Sequence, residues 1–421
     1  MSPPPFTPAF SRKGKRFFIT SLEKHPDLST LLNEIQFVFR NPQTYEVVLY
    51  FKERFRPFPN IVTPLACAID HIRRSGRNVR VLETFDELED TGYLNAETFA
   101  PPDGELLMPA GKVWKYETPE QVYLLLDHTI DFLARNLEWE RGTLHALEWS
   151  LYEILDNVFQ HAGVHAGFFM FQIQQQRRRL SYCVADQGCG IYQSLSKSQY
   201  RPTTAMDAIT LAVKRGVTRD AKTNMGNGLW GATEIVARSK GQLTISSGGA
   251  ALFFDRVTGR AQSIPHVSVL DKDAPGTFLD AQVDASVQVQ VSEMFDYLAT
   301  PVNLRVERLE DEDGAVHIAL KKMKFGAGTR QSGNFVRVYT ANLLNETSAP
   351  IVVDFTDVGI VSSSFADEFI AKLYAQLGAE GFNSRIRLHG MNETNTVIVR
   401  NALAQRVSGG GNPPISRGDQ K

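Results

Sequence analysis

The sequence predicts an α/β protein built from three blocks, and three observations predict it. Both ends of the chain follow a strand–helix–strand rhythm. The middle alternates long amphipathic helices with paired strand-like runs. The composition, 43% hydrophobic and 22% charged over 421 residues, is that of an ordinary globular protein with room for two to four domains. A net charge of −2 gives no electrostatic case for nucleic acid or an anionic membrane. The densest basic run, Arg177-Arg178-Arg179, lies between two strand-like stretches and reads as a solvated hairpin end. No apolar run is long enough to cross a bilayer. Met1–Pro5 reads as a flexible, proline-rich start rather than a secretion signal, so the expected location is the cytoplasm.

The elements justify the blocks in order. Residues 1–14 are expected to be flexible, and residues 15–117 to form the first α/β domain. In it Tyr45–Phe51 is an apolar strand, Ile61–Ser75 an amphipathic helix stopped by Gly76, and Val79–Leu82 a second strand. Residues 118–290 form the central domain. Helices are expected over Pro119–Leu137, Leu144–His161, Ala205–Lys214 and Leu229–Ser239. Strands are expected over Phe168–Gln174, Leu180–Ala185, Leu243–Ser246 and Thr277–Val283, giving a two-layer arrangement with a largely antiparallel sheet. Residues 300–407 return to strand–helix–strand, with strands at Val316–Leu320, Ile351–Phe355 and Ile386–Leu388 and a helix over Phe365–Leu377 ending at Gly378. Residues 408–421, rich in Gly and Pro, are expected to be disordered. Cys67, Cys183 and Cys189 are few, odd in number and without metal spacing, so they read as free thiols.

Three segments of the central block carry chemistry. On the helix Leu144–His161, Leu144, Leu147, Leu151, Leu155 and Val158 form the buried stripe, while Glu153, Asn157 and His161 stack at i, i+4, i+8 on another face. Asn157 offers a hard oxygen for Mg²⁺, and Glu153 a carboxylate one turn away that could orient or deprotonate a water or hydroxyl. Taken alone, this face reads first as a solvated polar surface. Asp186-Gln187-Gly188-Cys189-Gly190 follows a strand. Its carboxylate could accept from an adenine amino group, with Gly188 and Gly190 free to take positive φ; a surface turn is the plain alternative. Gly226-Asn227-Gly228-Leu229 precedes a helix whose N-terminus favours anions, without the spacing of a P-loop or a Rossmann fingerprint.

In this order the three segments, followed by Gly276-Thr277, resemble the GHKL superfamily, the Bergerat-fold ATPases that include histidine kinases and anti-sigma-factor serine kinases. The resemblance covers residues 120–285. It implies ATP and Mg²⁺ as cofactors and a Bergerat α+β sandwich in the centre. Glu153 would be the general base, Asn157 the metal ligand and His161 part of the same box. Asp186, with Gly188, Gly190 and Thr277, would hold adenine. Gly226, Gly228 and Leu229 would cradle phosphate. The stretch Tyr192–Met225 would be a lid bearing Lys214, Arg215, Arg219 and Lys222 as phosphate-facing cations. Trp230-Gly231 departs from the family's usual continuation. His128 lacks the surroundings of a histidine-kinase phosphoacceptor, which leaves that class as an alternative only.

The third block resembles a STAS-like domain of unknown function through Phe325-Gly326, Arg330 and Ser362-Ser363-Ser364-Phe365-Ala366-Asp367-Glu368. The first block resembles a degenerate STAS-like domain more faintly, with Thr63 where a serine would stand. In anti-sigma-factor antagonists a serine at this turn is phosphorylated, which makes Ser363 the candidate phosphoacceptor; a structural helix cap is the other reading of the turn. The resemblance therefore implies a regulatory Mg-dependent ATPase or serine/threonine kinase. It would act on a STAS-type or regulatory protein partner, or on its own C-terminal domain. The alternatives are a nucleotide-gated scaffold without significant catalysis and a histidine-kinase-like signalling protein. A homodimer is a further expectation.

Overall fold

The computed structural model describes residues 8–23, 25–100, 110–161, 166–217, 228–254, 261–265, 276–294, 302–323 and 326–409. The protein is mixed α/β. Two compact units divide the chain, Met1–Ile130 with Thr143–Ala299, and Asp131–Gly142 with Thr300–Lys421.

The first unit opens with the hairpin β1 (Phe10–Lys13) and β2 (Arg16–Ile19), then α1 (His25–Phe39), β3 (Glu46–Phe51), α2 (Pro59–Arg74), β4 (Asn78–Glu83) and α3 (Asp86–Glu89). The sheet order is β1-β2-β3-β4, antiparallel at the hairpin and parallel thereafter. Val47, Val48, Leu49 and Phe51 of β3 are all buried, as the continuous apolar run of a covered parallel strand requires. Pro59 starts α2 with a φ already suited to a helix, and Gly76 follows its end at φ +78°. Every residue from Ile61 to Ile69 is buried. A helix buried on all sides must lie between two layers. The second layer is the central sheet, whose Phe168, Met170, Ala185 and Phe278 share one apolar core with α2.

That central sheet is built from β5 (Glu97–Thr98), β6 (Trp114–Tyr116), β7 (Gly167–Gln174), β8 (Arg179–Asp186), β9 (Gln242–Ser247), β10 (Ala250–Phe254), β11 (Ala261–Pro265) and β12 (Thr277–Asp284). The order is β11-β10-β9-β12-β8-β7-β6-β5, antiparallel throughout except β5 with β6. The helices interleaved with it are α4 (Pro119–Asn136), α5 (Thr143–His161), α6 (Gly190–Ser196), α7 (Ala205–Ala212), α8 (Gly228–Arg238) and α9 (Val291–Met294). Helices α5 and α8 pack on each other and on the front of the sheet, while α2 covers β7, β8 and β12 from behind. The turn at Arg178, φ 47°, joins β7 to β8, so the arginine run sits at a hairpin end as expected.

The second unit contains α10 (Leu304–Glu307), β13 (Val316–Ala319), α11 (Arg330–Glu346), β14 (Ile351–Asp354), α12 (Ser363–Ala366), α13 (Lys372–Arg385), β15 (Ile386–His389) and α14 (Glu393–Gly409). Its sheet is parallel in the order β13-β14-β15. Thr329 caps α11 through a reciprocal pair with Ser332. A Cβ at Gly333 would lie 2.8 Å from the Phe365 carbonyl, so glycine there permits α11 to press against α12. Asn342 donates to the carbonyls of Ala134 (2.7 Å) and Leu137 (2.8 Å) and accepts from the Trp139 amide (2.8 Å), which ties residues 131–142 into this unit.

Several expectations need correction. The helix expected over Phe365–Leu377 starts at Ser363 and passes through a π-turn over Asp367–Ala371; it breaks at Gly378 (φ 70°, ψ 172°) as expected, and a separate helical stretch follows to Arg385. Helix α14 reaches Gly409, two residues into the stretch expected to be a disordered tail. Among the described residues no helix is long and apolar enough to cross a membrane.

Candidate functional site

One rung of the central sheet organises the candidate site. Reading across five adjacent strands, Tyr116 pairs with Gly167, Gly167 with Asp186, Asp186 with Thr277, and Thr277 with Ser247. Alternation along each strand puts these five on the front face, since their neighbours Phe168, Ala185 and Phe278 belong to the core behind. Gly167 matters by what it lacks: the Tyr116 ring occupies the space a Cβ would need. The Tyr116 hydroxyl reaches the Leu155 carbonyl of α5 at 3.4 Å, and so links the rung to the helix that carries Glu153 and Asn157.

Asp186 is the last residue of β8 rather than the first of a turn, and it is 8% exposed. Its Oδ1 accepts the Gly188 amide at 2.7 Å, and Thr277 supplies further hydrogen bonds. Burial pushes its carboxyl up to about 6, with those hydrogen bonds pulling the other way. The Gly188 carbonyl accepts the Gly276 amide at 2.9 Å. Gly190 takes φ +73° and Gly276 φ +63°, but Gly188 does not adopt positive φ, which corrects the expectation that both glycines of the box would. Gly188 instead turns its amide onto Asp186, a contact any residue's backbone can make.

Glu153 and Asn157 come together with Gly228. A Cβ on Gly228 would lie 3.1 Å from Asn157 Nδ2 and 3.3 Å from Glu153 Oε2, so the missing side chain leaves a cradle beside both groups. Burial and the neighbouring Asp156 raise the Glu153 carboxyl above the usual range. Leu229 is the second residue of α8 and half-buried. Gly231 lies against the Trp149 ring of α5, which explains why glycine follows Trp230 here. Lys214 is exposed just beyond α7, and the guanidinium of Arg215 stacks over Trp230 at 5.2 Å. The His161 side chain, Gly226, Arg219, Lys222 and the end of the expected lid lie outside the described residues. His128 hydrogen-bonds the Leu124 carbonyl at 2.7 Å and packs edge-on to Phe99.

Two contributors were not read from the sequence. The Ser247 hydroxyl accepts the Ile191 amide (3.0 Å), donates to the Gly276 carbonyl (2.9 Å) and lies 3.3 Å from Thr277 Oγ1. The pair Ser247-Gly248, with Gly248 at φ +61°, was the available signal. Tyr116 had none, because its role depends on a glycine fifty-one residues later.

In the second unit, Ser362 rather than Ser363 is the helix cap, accepting the Phe365 amide at 3.0 Å. Ser363 is exposed on the first turn. Glu368 is 4% exposed and meets Lys372 at 2.6 Å and Arg330 at 3.1 Å. Asp367 is held low by Arg406, which it meets at 2.8 Å. Residues 333–396, which span α11 to the start of α14, match the family described as a STAS-like domain of unknown function (DUF4325). The second unit carries a STAS-like domain. The STAS-like match covers the serine turn together with Glu368 and Lys372, while Arg330 lies just before it. No curated protein matches the chain.

Proposed function

We propose that the front of the central sheet binds ATP with Mg²⁺ in the manner of a GHKL ATPase, and that the chain is a regulatory Mg-dependent ATPase or serine/threonine kinase. The observation that carries this reading is the meeting of Glu153, Asn157 and Gly228 on the same face as the Asp186 rung. A buried carboxylate with two ordered donors still has lone pairs to offer an adenine amino group. Thr277 stands beside it on the next strand. The Gly228 cradle lies at the first residue of α8, where backbone N–H groups face an incoming phosphate. The donor set suits Mg²⁺, which takes one or two protein oxygens and completes its shell with water and phosphate; Asn157 would hold it, and bound there it would offset phosphate charge.

Glu153 has the position and the raised proton affinity of a general base. Its carboxylate would take the proton of a water or serine hydroxyl as that oxygen bonds to the γ-phosphorus and the bond to the β-phosphate oxygen breaks, leaving ADP. The acceptor hydroxyl would belong to a STAS-type partner or to the chain's own STAS-like domain, where Ser363 is exposed. Titration calorimetry with ATP and Mg²⁺ tests the site. Wild type should bind, and Asp186→Asn should lose affinity at least 100-fold, since it puts an amide donor before another donor. Equal binding by both proteins would refute it.

A further inference from the structure

At the end of β8, the side chains of Asp186 and Gln187 point to opposite sides of the sheet. Asp186 faces the helices in front. Gln187, 8% exposed, faces α2 behind, and its amide nitrogen donates to the Cys67 carbonyl (3.0 Å) and to Asp70 Oδ2 (2.8 Å). Both acceptors are on α2. Asp70 is in turn paired with Arg74 Nε at 2.9 Å and with Lys115 Nζ of β6 at 3.5 Å, and Lys115 with Glu117 at 2.9 Å. The turn whose backbone shapes the Asp186 site is thus fastened to the helix that follows the middle parallel strand of the first block.

We propose that Gln187 is a positioning residue that couples nucleotide occupancy of the front face to the placement of α2, so that the first block regulates nucleotide affinity. The proposal rests on the ATP reading given above. Three features carry it. The two amide hydrogens of Gln187 are both spent on α2, so the turn has no second orientation that keeps them satisfied while buried. Helix α2 is buried from Ile61 to Ile69 and shares its core with the sheet, so a displacement of its Cys67–Asp70 turn, beyond Pro64, is felt in the packing behind the site. The loop that leads into α2 is also tied to the sheet, since Gln172 of β7 donates to the Pro57 carbonyl at 2.8 Å. A partner that moves this loop or α2 therefore changes the geometry of the Asp186–Gly188 turn. By linkage, ATP must change the stability of α2 by the same factor.

Asp70→Ala is the informative variant, because it removes one acceptor from α2 while leaving every front-face group in place. Hydrogen exchange over residues 59–74 would be followed with and without Mg·ATP, alongside calorimetric affinity, for wild type, Asp70→Ala and Gln187→Leu. In wild type, ATP should slow exchange in α2. In Asp70→Ala the affinity should fall about fivefold, the low end of ordinary coupling, and the ATP-dependent protection of α2 should shrink in step. Gln187→Leu should show the larger loss of both. A melting temperature near that of wild type separates this from general unfolding; if Gln187→Leu fails to fold, Asp70→Ala alone decides. If wild type binds ATP but α2 exchange ignores it and Asp70→Ala binds as wild type does, the coupling is wrong while the ATP reading stands. If wild type binds no nucleotide, both fall.

Discussion

The first block and the STAS-like unit each place a helix after the middle strand of three parallel strands, and they use that helix oppositely. After β3, the chain enters α2, where Thr63 is fully buried and the stretch from Ile61 to Ile69 is packed between two sheets. After β14, the chain stays open: Ile360 is 73% exposed, Ser363 is exposed, and Asn395 steadies the loop by donating to Gly359 and accepting the Val361 amide. One strand-to-helix turn lies behind the sheet that carries the candidate site, while the other presents a hydroxyl to solvent. A shared strand–helix rhythm does not carry a shared role. Thr63 stands at the position equivalent to the serine turn, yet it is fully buried and out of an enzyme's reach in this fold. Ser363 can be reached.

The largest effect that sharpens this contrast should come from Gly333→Val in the STAS-like unit. Its side chain would run into the Phe365 backbone, and the cost should be about 1–3 kcal/mol, read as an earlier thermal transition of that unit. Loss of Ser362 should be next. Ser362→Ala removes a cap and should cost about 1 kcal/mol, whereas the neighbouring Ser363→Ala should stay within about 0.5 kcal/mol, both measured by denaturant titration. Should Ser363→Ala prove the more destabilising, the capping assignment is reversed. Nucleotide affinity should also depend on acid. The Asp186 carboxyl, pushed up to about 6, is the stronger acceptor for an adenine amino group when ionised. Affinity should level off above about pH 7 and fall up to about tenfold between pH 7 and pH 5, checked by calorimetry in matched buffers. A pH-independent affinity would remove Asp186 from base recognition.

Much of this architecture was legible from local pattern, and the rest was not for identifiable reasons. Helices α2 and α5 and strands β3, β8 and β14 announce themselves through apolar runs and helical spacing, and they fall within one or two residues of expectation. Helix α11 was missed because Arg330-Gln331-Ser332-Gly333-Asn334 has the composition of a loop; its stability comes from the Thr329 cap and from packing against α12, which are tertiary facts. Strand β10 follows the Gly248-Gly249 turn, whose two positive φ values (61° and 81°) are the hairpin signal that frames it. In the candidate site, Asp186, Glu153 and Asn157 could be named because motifs carry them. Tyr116 and Gln187 could not, since one acts through Gly167 and the other through a helix some 120 residues earlier.

The measurement that tests the account most directly is incubation of the full chain with γ-labelled ATP and Mg²⁺, following free phosphate and protein-bound label together, with Glu153→Ala as the comparison. Wild type should give release or label, Glu153→Ala should drop it about 10²- to 10⁴-fold with ATP binding largely kept, and any bound label should sit at Ser363. Wild type that binds ATP yet matches Glu153→Ala in both signals would contradict this and would make the chain a nucleotide-gated scaffold.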